Sequence, residues 1–415
     1  MFLQPPKEQE RTSWIVAAIW TASIFAVIPL ARAIQGFVDE RWGRELFLWV
    51  VAVYIAVFVL VALAYLLYSR ESIPVGNAAW LIAIAAVFLY WTWQLRRNPE
   101  EALHFIQYGI LSLLVYRALT HRIRDPSIYL VAVLICSVTG TVDEMVQWMT
   151  PRRYFDFRDI WINGGSAILV QAGILLGIRP RIIGGRPGAR GPRMTCRLGT
   201  AQLLLLGICL SNTHERAEWY AERVPFLSFL QNNPSVMAEY GYRHVDPEIG
   251  VFFSRFSPEQ LKEVDRVRGP EAAAIINRWH DPRRYPEFLE TITPYVDALA
   301  HEMRVRVFRR DRYRGEARAH EPGDPEFAYA VTVAYREHRI MQDHFPVTLE
   351  HSRYLMDESY VQYLRDHQIP DYPYVSAVSA HLITRWREWE LWMAILVGVL
   401  VLQAVNWYYG QREYY

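Results

Sequence analysis

Long apolar runs constrain this chain more than any other feature of its sequence. A helix that crosses the hydrocarbon core of a bilayer needs about 20 mostly apolar residues, because each unpaired backbone amide in lipid costs several kcal/mol. Eight runs qualify as candidate spans: Ser13–Ala31, Leu46–Tyr68, Ala78–Leu95, Leu103–Leu119, Ile128–Met149, Ile160–Ile178, Leu198–Leu210 and Leu391–Tyr408. The seventh run is short, and a half-buried segment is the alternative to a full span there. The sequence therefore predicts a mainly α, polytopic transmembrane helical bundle of about eight spans.

Charged residues are concentrated between the seventh and eighth runs. Residues 214–390 hold 29 of the 43 acidic residues and 23 of the 44 basic ones. Elsewhere the charges fall in short gaps between apolar runs, so the overall composition conceals two kinds of sequence. We expect a membrane protein with an inserted α+β soluble domain. The basic residues form no single footprint, and this excludes a nucleic-acid partner.

The same partition predicts the order of domains and their orientation. The predicted parts are N-terminal transmembrane helices (1–100), a helical core (101–180), a basic cytoplasmic loop with the seventh span (181–213), an extracytoplasmic domain (214–390) and a C-terminal transmembrane helix (391–415). The loop 179–197 carries six arginines and no acid, so it should stay in the cytoplasm. Counting spans outward from it places both termini in the cytoplasm and residues 214–390 on the other side.

Turn and capping signals give the insert a predicted set of elements. Ser257-Pro258-Glu259-Gln260 forms a capping box that opens a helix, and Gly269 should end that helix. Pro270 should open a second helix, and the segment from Pro286 to His301 a third. The alternating segments Arg304–Val307 and Phe327–Tyr335 predict a β-hairpin. A further helix is expected from Pro346 to Asp366.

Ten of the twelve histidines lie in this insert, yet their spacing does not predict a metal site. His301-Glu302 lacks the second histidine of an H-E-x-x-H motif, and the others share no helical or strand face. We expect no metal there, and the sequence predicts no cofactor anywhere in the chain.

Polar and ionisable residues concentrate between the fourth and sixth runs, where unpaired charges at membrane depth are costly and mark function. His104 and Tyr108 stand four residues apart on the fourth run, and acids end the fifth. A turn and the start of the sixth run supply the remainder. The candidate polar cleft consists of His104, Tyr108, Asp143, Glu144, Gln147, Arg153, Asp156, Asp159 and Asn163. Four of these, His104, Glu144, Arg153 and Asp159, are predicted to converge although they come from different parts of the chain.

This pattern over roughly residues 100–178 resembles the VanZ-like membrane proteins. The resemblance rests on Asp143-Glu144-x-x-Gln147, then Arg153, two spaced aspartates and Asn163. One position departs from the family pattern, because Ser166 stands where the family usually has glycine. The resemblance implies a multi-pass protein of the bacterial cytoplasmic membrane and a role in the cell envelope. It also implies a link to glycopeptide resistance of the teicoplanin type, but it supplies no mechanism.

Several interpretations of the cluster stay open. In one, Arg153 pairs with Asp156 or Glu144 and the network only fixes the bundle. In another, the cleft binds a polar envelope ligand such as a lipid or peptide head group. In an enzymatic interpretation, Glu144 or Asp143 is a general base with His104 as its partner, and Asp143, Asp156 and Asp159 hold a divalent metal in a membrane-embedded hydrolase.

Partners are predicted only by class. Membrane lipids surround the spans, and we expect a cell-envelope ligand or a membrane protein partner. As an alternative, the whole chain is a scaffold subunit of a larger membrane complex. Whether it is an enzyme is left open.

Overall fold

The computed structural model describes residues 10–70, 73–232 and 236–411. These residues form two compact units, one containing the described residues up to Leu210 and from Trp392 onward, the other Ser211–Leu391. The structure is 74% helical, which confirms the mainly α prediction. The five-part division of the chain stays a prediction.

The first unit is built entirely of helices in its described part. They are α1 (Glu10–Val27), a 3₁₀ turn (Ile28–Leu30), α2 (Ala31–Trp42), α3 (Leu46–Arg70), α4 (Val75–Gln94), a 3₁₀ turn (Pro99–Ala102), α5 (Leu103–Leu119), α6 (Ser127–Trp148), α7 (Phe157–Ala172) with a π-helical end (Gly173–Ile178), α8 (Arg190–Ser211) and α16 (Glu388–Gln411).

Within the described residues, eight helices are long and apolar enough to cross a membrane, as predicted. Two of them are longer than expected. The first continues to Trp42, and the seventh begins at Arg190 instead of Leu198. The seventh is therefore long enough for a full span, and three arginines of the predicted loop, Arg190, Arg193 and Arg197, lie on it.

Helices α5, α6 and α7 form the interior of this unit. Half or more of the residues in their apolar windows are buried, whereas the other candidate spans bury fewer than a third. Leu111 of α5, Ala132 of α6 and Val170 of α7 belong to one hydrophobic core. Many large apolar side chains of α3 and α16 are exposed, as expected of surfaces that face lipid.

The second unit is mostly helical with one small sheet. Its elements are α9 (His214–Arg223), a 3₁₀ segment (Pro225–Asn232), β1 (Tyr242–Asp246), β2 (Gly250–Ser254), α10 (Pro258–Arg278), a 3₁₀ turn (Pro282–Arg284), α11 (Tyr285–Thr291), α12 (Ala298–Ala317), α13 (Pro325–His344), α14 (Pro346–His351) and α15 (Glu358–His367).

The predicted hairpin is wrong, because both of its segments are helical. Arg304–Val307 lies in α12, and Phe327–Tyr335 lies in α13, which packs against it. The arginines between the valines are not on a solvent face: Arg306 is fully buried and bonded to Glu302 at 2.7 Å. Alternation of apolar and charged residues therefore did not mean alternation of buried and exposed ones.

Three helix boundaries in this unit also differ from the prediction. The capping box at Ser257 is present, but α10 continues through Gly269 and Pro270 to Arg278. Gly269 is there because α14 packs on it: a Cβ at this position would lie 2.8 Å from Val347. The predicted helices 286–301 and 346–366 are each broken in two.

The sheet was not predicted. β1 and β2 are antiparallel, with Tyr242 opposite Ser254, and the turn between them ends at Gly250. Gly250 has φ of +116°, a conformation that favours glycine. The segment after α15 joins the sheet edge, because Val251 N–H donates to Tyr374 O at 2.9 Å and Ser376 N–H donates to Val251 O at 2.8 Å.

Candidate functional site

The three interior helices bring most of the predicted polar residues together. The start of α5 carries His104 and Tyr108, the end of α6 carries the two acids and Gln147, and α7 carries Asp159 and Asn163. One of the contacts between these helices needs glycine. A Cβ on Gly140 would lie 2.8 Å from that of Asn163, so α6 and α7 approach closely there.

The carboxylates at the end of α6 are buried and point to different partners. Asp143 is 2% exposed and accepts a hydrogen bond from the Tyr108 hydroxyl at 2.9 Å. Glu144 is fully buried and accepts from Gln147 Nε2 at 2.6 Å and from the backbone N–H of Asp156 at 3.2 Å. Asp143 and Glu144 are adjacent in sequence and so point about 100° apart around α6. Asp143 therefore contacts α5, and Glu144 contacts the start of α7.

Arg153 contacts Glu144 of α6 indirectly, through the side-chain amide of Gln147. Its guanidinium donates to Gln147 Oε1, and Gln147 in turn donates to Glu144. A direct pair of Arg153 with Glu144 or Asp156, expected if the network only fixes the bundle, is not among the contacts of the described residues. The arginine is therefore placed in the cluster without directly neutralising either carboxylate.

Three side chains from three helices present their donor atoms to one point. One ligand atom each from His104, Glu144 and Asp159 lie within 4.8 Å of one another. His104 Nε2 is 3.8 Å from Asp159 Oδ2. Three of the four residues expected to converge therefore lie together, and they differ from the metal ligands of the enzymatic interpretation, Asp143, Asp156 and Asp159.

Asp156 is not part of the group formed by His104, Glu144 and Asp159. It is the N-cap of α7, and its Oδ1 accepts from the backbone N–H of Arg158 at 2.7 Å. Its side chain is about half exposed, at 51%. Because α7 begins after Asp156 and not before it, the carboxylate caps the helix instead of lining the cluster with Asp159.

Two residues outside the predicted set belong to the surroundings of the cluster. Glu101 and Arg158 form an ion pair in which the carboxylate is largely buried. Glu101 precedes His104 by three residues in the 3₁₀ turn before α5. This spacing from His104 could have indicated that Glu101 belongs to the cluster. An acid at the end of an apolar run is, however, usually interpreted as a solvated residue at the end of a span.

Several buried polar atoms in the cluster have no hydrogen-bond partner. Both amide atoms of the fully buried Asn163 lack a partner of good geometry, although the side chain lies beside the His104 ring. The same holds for His104 Nδ1, Asp143 Oδ1 and Asp159 Oδ1. Buried polar atoms are nearly always satisfied, so this concentration of unsatisfied atoms requires an explanation.

The position that departs from the family pattern has a structural role. Ser166 is fully buried, and its hydroxyl donates to Phe105 O at 3.1 Å. The serine therefore ties α7 to α5 one turn from the cluster. A glycine at this position would make no such bond.

Comparison with known protein families finds a match over part of the chain. Residues 10–177 match the family model described as VanZ/LLP1. This confirms the VanZ-like resemblance and extends it toward the N-terminus to include α1–α4. No curated protein and no solved structure matches the chain.

Proposed function

We propose that the VanZ-like segment binds a divalent metal ion at His104, Glu144 and Asp159 and, through it, a polar ligand of the cell envelope. The observation that carries this proposal is the approach of three donor atoms, from three separate helices, to within 4.8 Å. Side chains on packed helices are held in place more firmly than those on loops, which favours a preformed site.

The charge of the cluster favours a cation. Four carboxylates lie in or beside the cluster, those of Glu101, Asp143, Glu144 and Asp159. The guanidinium groups beside it are those of Arg153 and Arg158. One of these, Arg153, donates to the neutral Gln147. An excess of buried negative charge is costly unless it is compensated, and a divalent ion compensates it.

The donor set indicates the class of ion. One imidazole nitrogen with two carboxylate oxygens suits Zn²⁺ or Mn²⁺ better than Ca²⁺ or Mg²⁺, which prefer all-oxygen sites. Two ligands of one tetrahedral zinc ion lie about 3.3 Å apart, so binding requires the most distant donors to approach each other by up to about 1.5 Å. Three protein ligands leave a position for water or for the ligand.

The test is the zinc content of the purified full-length protein after equilibration with Zn²⁺ and removal of free ion. We expect about one zinc ion per chain, and loss of that ion in Glu144→Gln and Asp159→Asn. Glu100→Gln is the matched control, because Glu100 lies in the turn just before α5, the helix that carries His104. It pairs with Arg44 at 2.6 Å and lies outside the donor set. Absence of zinc from the unchanged protein, or its retention in both site variants, would refute the metal site.

The open coordination position also supports the second candidate, a membrane-embedded metallohydrolase. A zinc-bound water is deprotonated near neutral pH and becomes a nucleophile. Glu144 would then be a metal ligand and not the general base expected from the sequence. Hydrolysis of an envelope substrate that stops when zinc is removed would favour this candidate over binding alone.

The envelope role is a proposal that rests on the VanZ-like match. If it holds, a bacterium that produces the protein should become less susceptible to teicoplanin, and Glu144→Gln should abolish that change without lowering the amount of protein in the membrane. Equal susceptibility with and without the protein would remove the link to resistance.

The proposed topology, with the second unit outside the cytoplasm, is tested separately by cysteine labelling. Residues 186 and 353 are both exposed, on the arginine-rich segment and in the second unit, respectively. A membrane-impermeant maleimide should label Arg353→Cys in intact cells but not Arg186→Cys. The opposite result would reverse the orientation.

A further inference from the structure

A cavity of about 650 Å³ lies in the second unit, far in sequence from the polar cluster. Its walls are the turn between β1 and β2, one face of α13, the last turn of α15 and the segment 368–375. The pairing of Val251 with the segment 374–376 fixes the floor.

A buried arginine without a counter-charge lines this cavity. Arg336 is 8% exposed, and its guanidinium has no hydrogen bond or ion pair among the described residues. Its guanidinium carbon lies 5.9 Å from the centre of the neighbouring Tyr335 ring. Burying an unpaired charge is strongly unfavourable, which indicates that a partner is missing.

Arg306 of the same unit is a buried arginine with several partners. Arg306 is more deeply buried, but it is bonded to Glu302 at 2.7 Å and to the backbone oxygen of Phe253 at 2.7 Å. It also lies 3.3 Å from Glu337. The guanidinium of Arg306 is therefore surrounded by acceptors, unlike that of Arg336.

Other groups of the cavity add to the chemistry of a ligand site. Arg365 is exposed at the end of α15 and forms no ion pair within the described part of the chain. Arg339, by contrast, pairs with Asp343 at 2.7 Å. Gln368 Oε1 is buried without a donor. Within the described residues, the cavity wall thus has two arginines without an ion pair, Arg336 and Arg365, and one acceptor without a donor, Gln368 Oε1.

We propose that this cavity binds a small hydroxylated molecule through a single oxyanion. The oxyanion contacts the guanidinium groups of Arg336 and Arg365, and a ligand hydroxyl donates to Gln368. Glu248 and Asp371 also line the cavity, and their charges disfavour ligands with several anionic groups. Arginine binds both carboxylate and phosphate oxygens in its planar fork, so either can supply the oxyanion.

The experiment is calorimetric titration of the full-length chain in a neutral detergent with glucuronate, glucose 6-phosphate and glucose. We expect one of the two anionic sugars to bind at one site per chain and neutral glucose not to bind. The first two probes distinguish a carboxylate from a phosphate. Binding of neither anionic sugar, or equal binding of glucose, overturns the proposal.

Arginine variants then locate the site. Arg336→Met should weaken binding about 10- to 100-fold, which is the effect of losing hydrogen bonds to a charged group. Arg365→Gln, at an exposed position, should weaken it less. Arg353→Met is the control, because Arg353 is exposed and lies outside the cavity. Unchanged affinity in both cavity variants overturns the assignment.

Thermal unfolding separates a ligand-binding arginine from a structural one. Removing an unpaired buried charge should leave the melting temperature of Arg336→Met unchanged or higher. The anionic sugar should raise the melting temperature of the unchanged protein but not that of the variant. A clear fall in stability of Arg336→Met, or its failure to fold, means that the arginine stabilises the unit and overturns the proposal.

Discussion

Glu239 holds three separated segments of the second unit together through one carboxylate. It accepts hydrogen bonds from Arg255 at 2.9 Å and from His381 at 2.7 Å, and the Tyr295 hydroxyl donates to it as well. Burial alone would raise the pKa of Glu239, but His381, Arg255 and Tyr295 outweigh it and lower the pKa to about 2. The side chain is only 12% exposed, so solvent screens these interactions little.

The magnitude of the effect follows from this pKa. A fall from 4.5 to about 2 corresponds to about 3 kcal/mol in favour of the folded state when Glu239 is ionised. Because folding lowers the pKa, this stability is fully present above pH 4.5 and is lost as the pH falls from 4.5 toward 2. Glutamine imitates the neutral carboxyl group, so Glu239→Gln should remove about 3 kcal/mol at pH 7.

Hydrogen exchange measured by mass spectrometry on the full-length chain is the assay. At pH 7, backbone amides in peptides covering residues 238–256 should exchange about 100-fold faster in Glu239→Gln. In thermal unfolding, the difference between the variant and the unchanged protein should narrow from pH 6 to pH 3. Glu263→Gln is the control with the same loss of charge, because Glu263 forms an exposed pair with Arg266. Equal protection in both variants would refute the reasoning.

Two further predictions concern buried contacts in each unit. Arg306→Met should destabilise the second unit by about 3–5 kcal/mol, because it removes the counter-charge that the buried carboxylates of Glu302 and Glu337 share, and only Glu337 keeps another ion pair, with Arg309. Unfolding in urea measures this loss, and a value below about 1 kcal/mol would contradict the prediction. Gly140→Ala should cost the first unit about 1–3 kcal/mol, since the new methyl group meets Asn163, whereas Gly36→Ala has open space. Thermal aggregation of the detergent-solubilised protein compares the two, and equal midpoints would contradict the close packing of α6 on α7.

The membrane half was largely predictable because lipid imposes a simple rule on sequence. The run 128–149 became α6, Ser127–Trp148, with its ends shifted by one residue. The same rule made the predicted seventh helix too short. Arg193 and Arg197 were assigned to the preceding loop, but they lie on α8. Hydropathy locates the apolar part of a helix and not the polar turn that precedes it.

The second unit was harder to predict because its core contains charges. Arg306 and Glu337 are 31 residues apart in sequence and meet only in the folded unit. A pattern that assigns every arginine to solvent must misread such a segment, as happened with the predicted hairpin. At the polar cluster, in contrast, helical spacing was sufficient for Asp143 and Glu144, and failed for Asp156 because that residue is the N-cap of α7 and does not lie within the helix.

Whether a buried charge is satisfied distinguishes a structural network from a binding site in both units. Arg306 has a protein partner for each direction of its guanidinium, so nothing in its surroundings requires a ligand. Asn163 and Arg336 are also buried, but each keeps polar atoms without hydrogen-bond partners. A purely structural role would favour replacement of such residues by apolar ones, since the cost of burying them brings no bond in return. Under the two proposals, these unsatisfied atoms lie at ligand sites, for a cation in the first unit and for an oxyanion in the second.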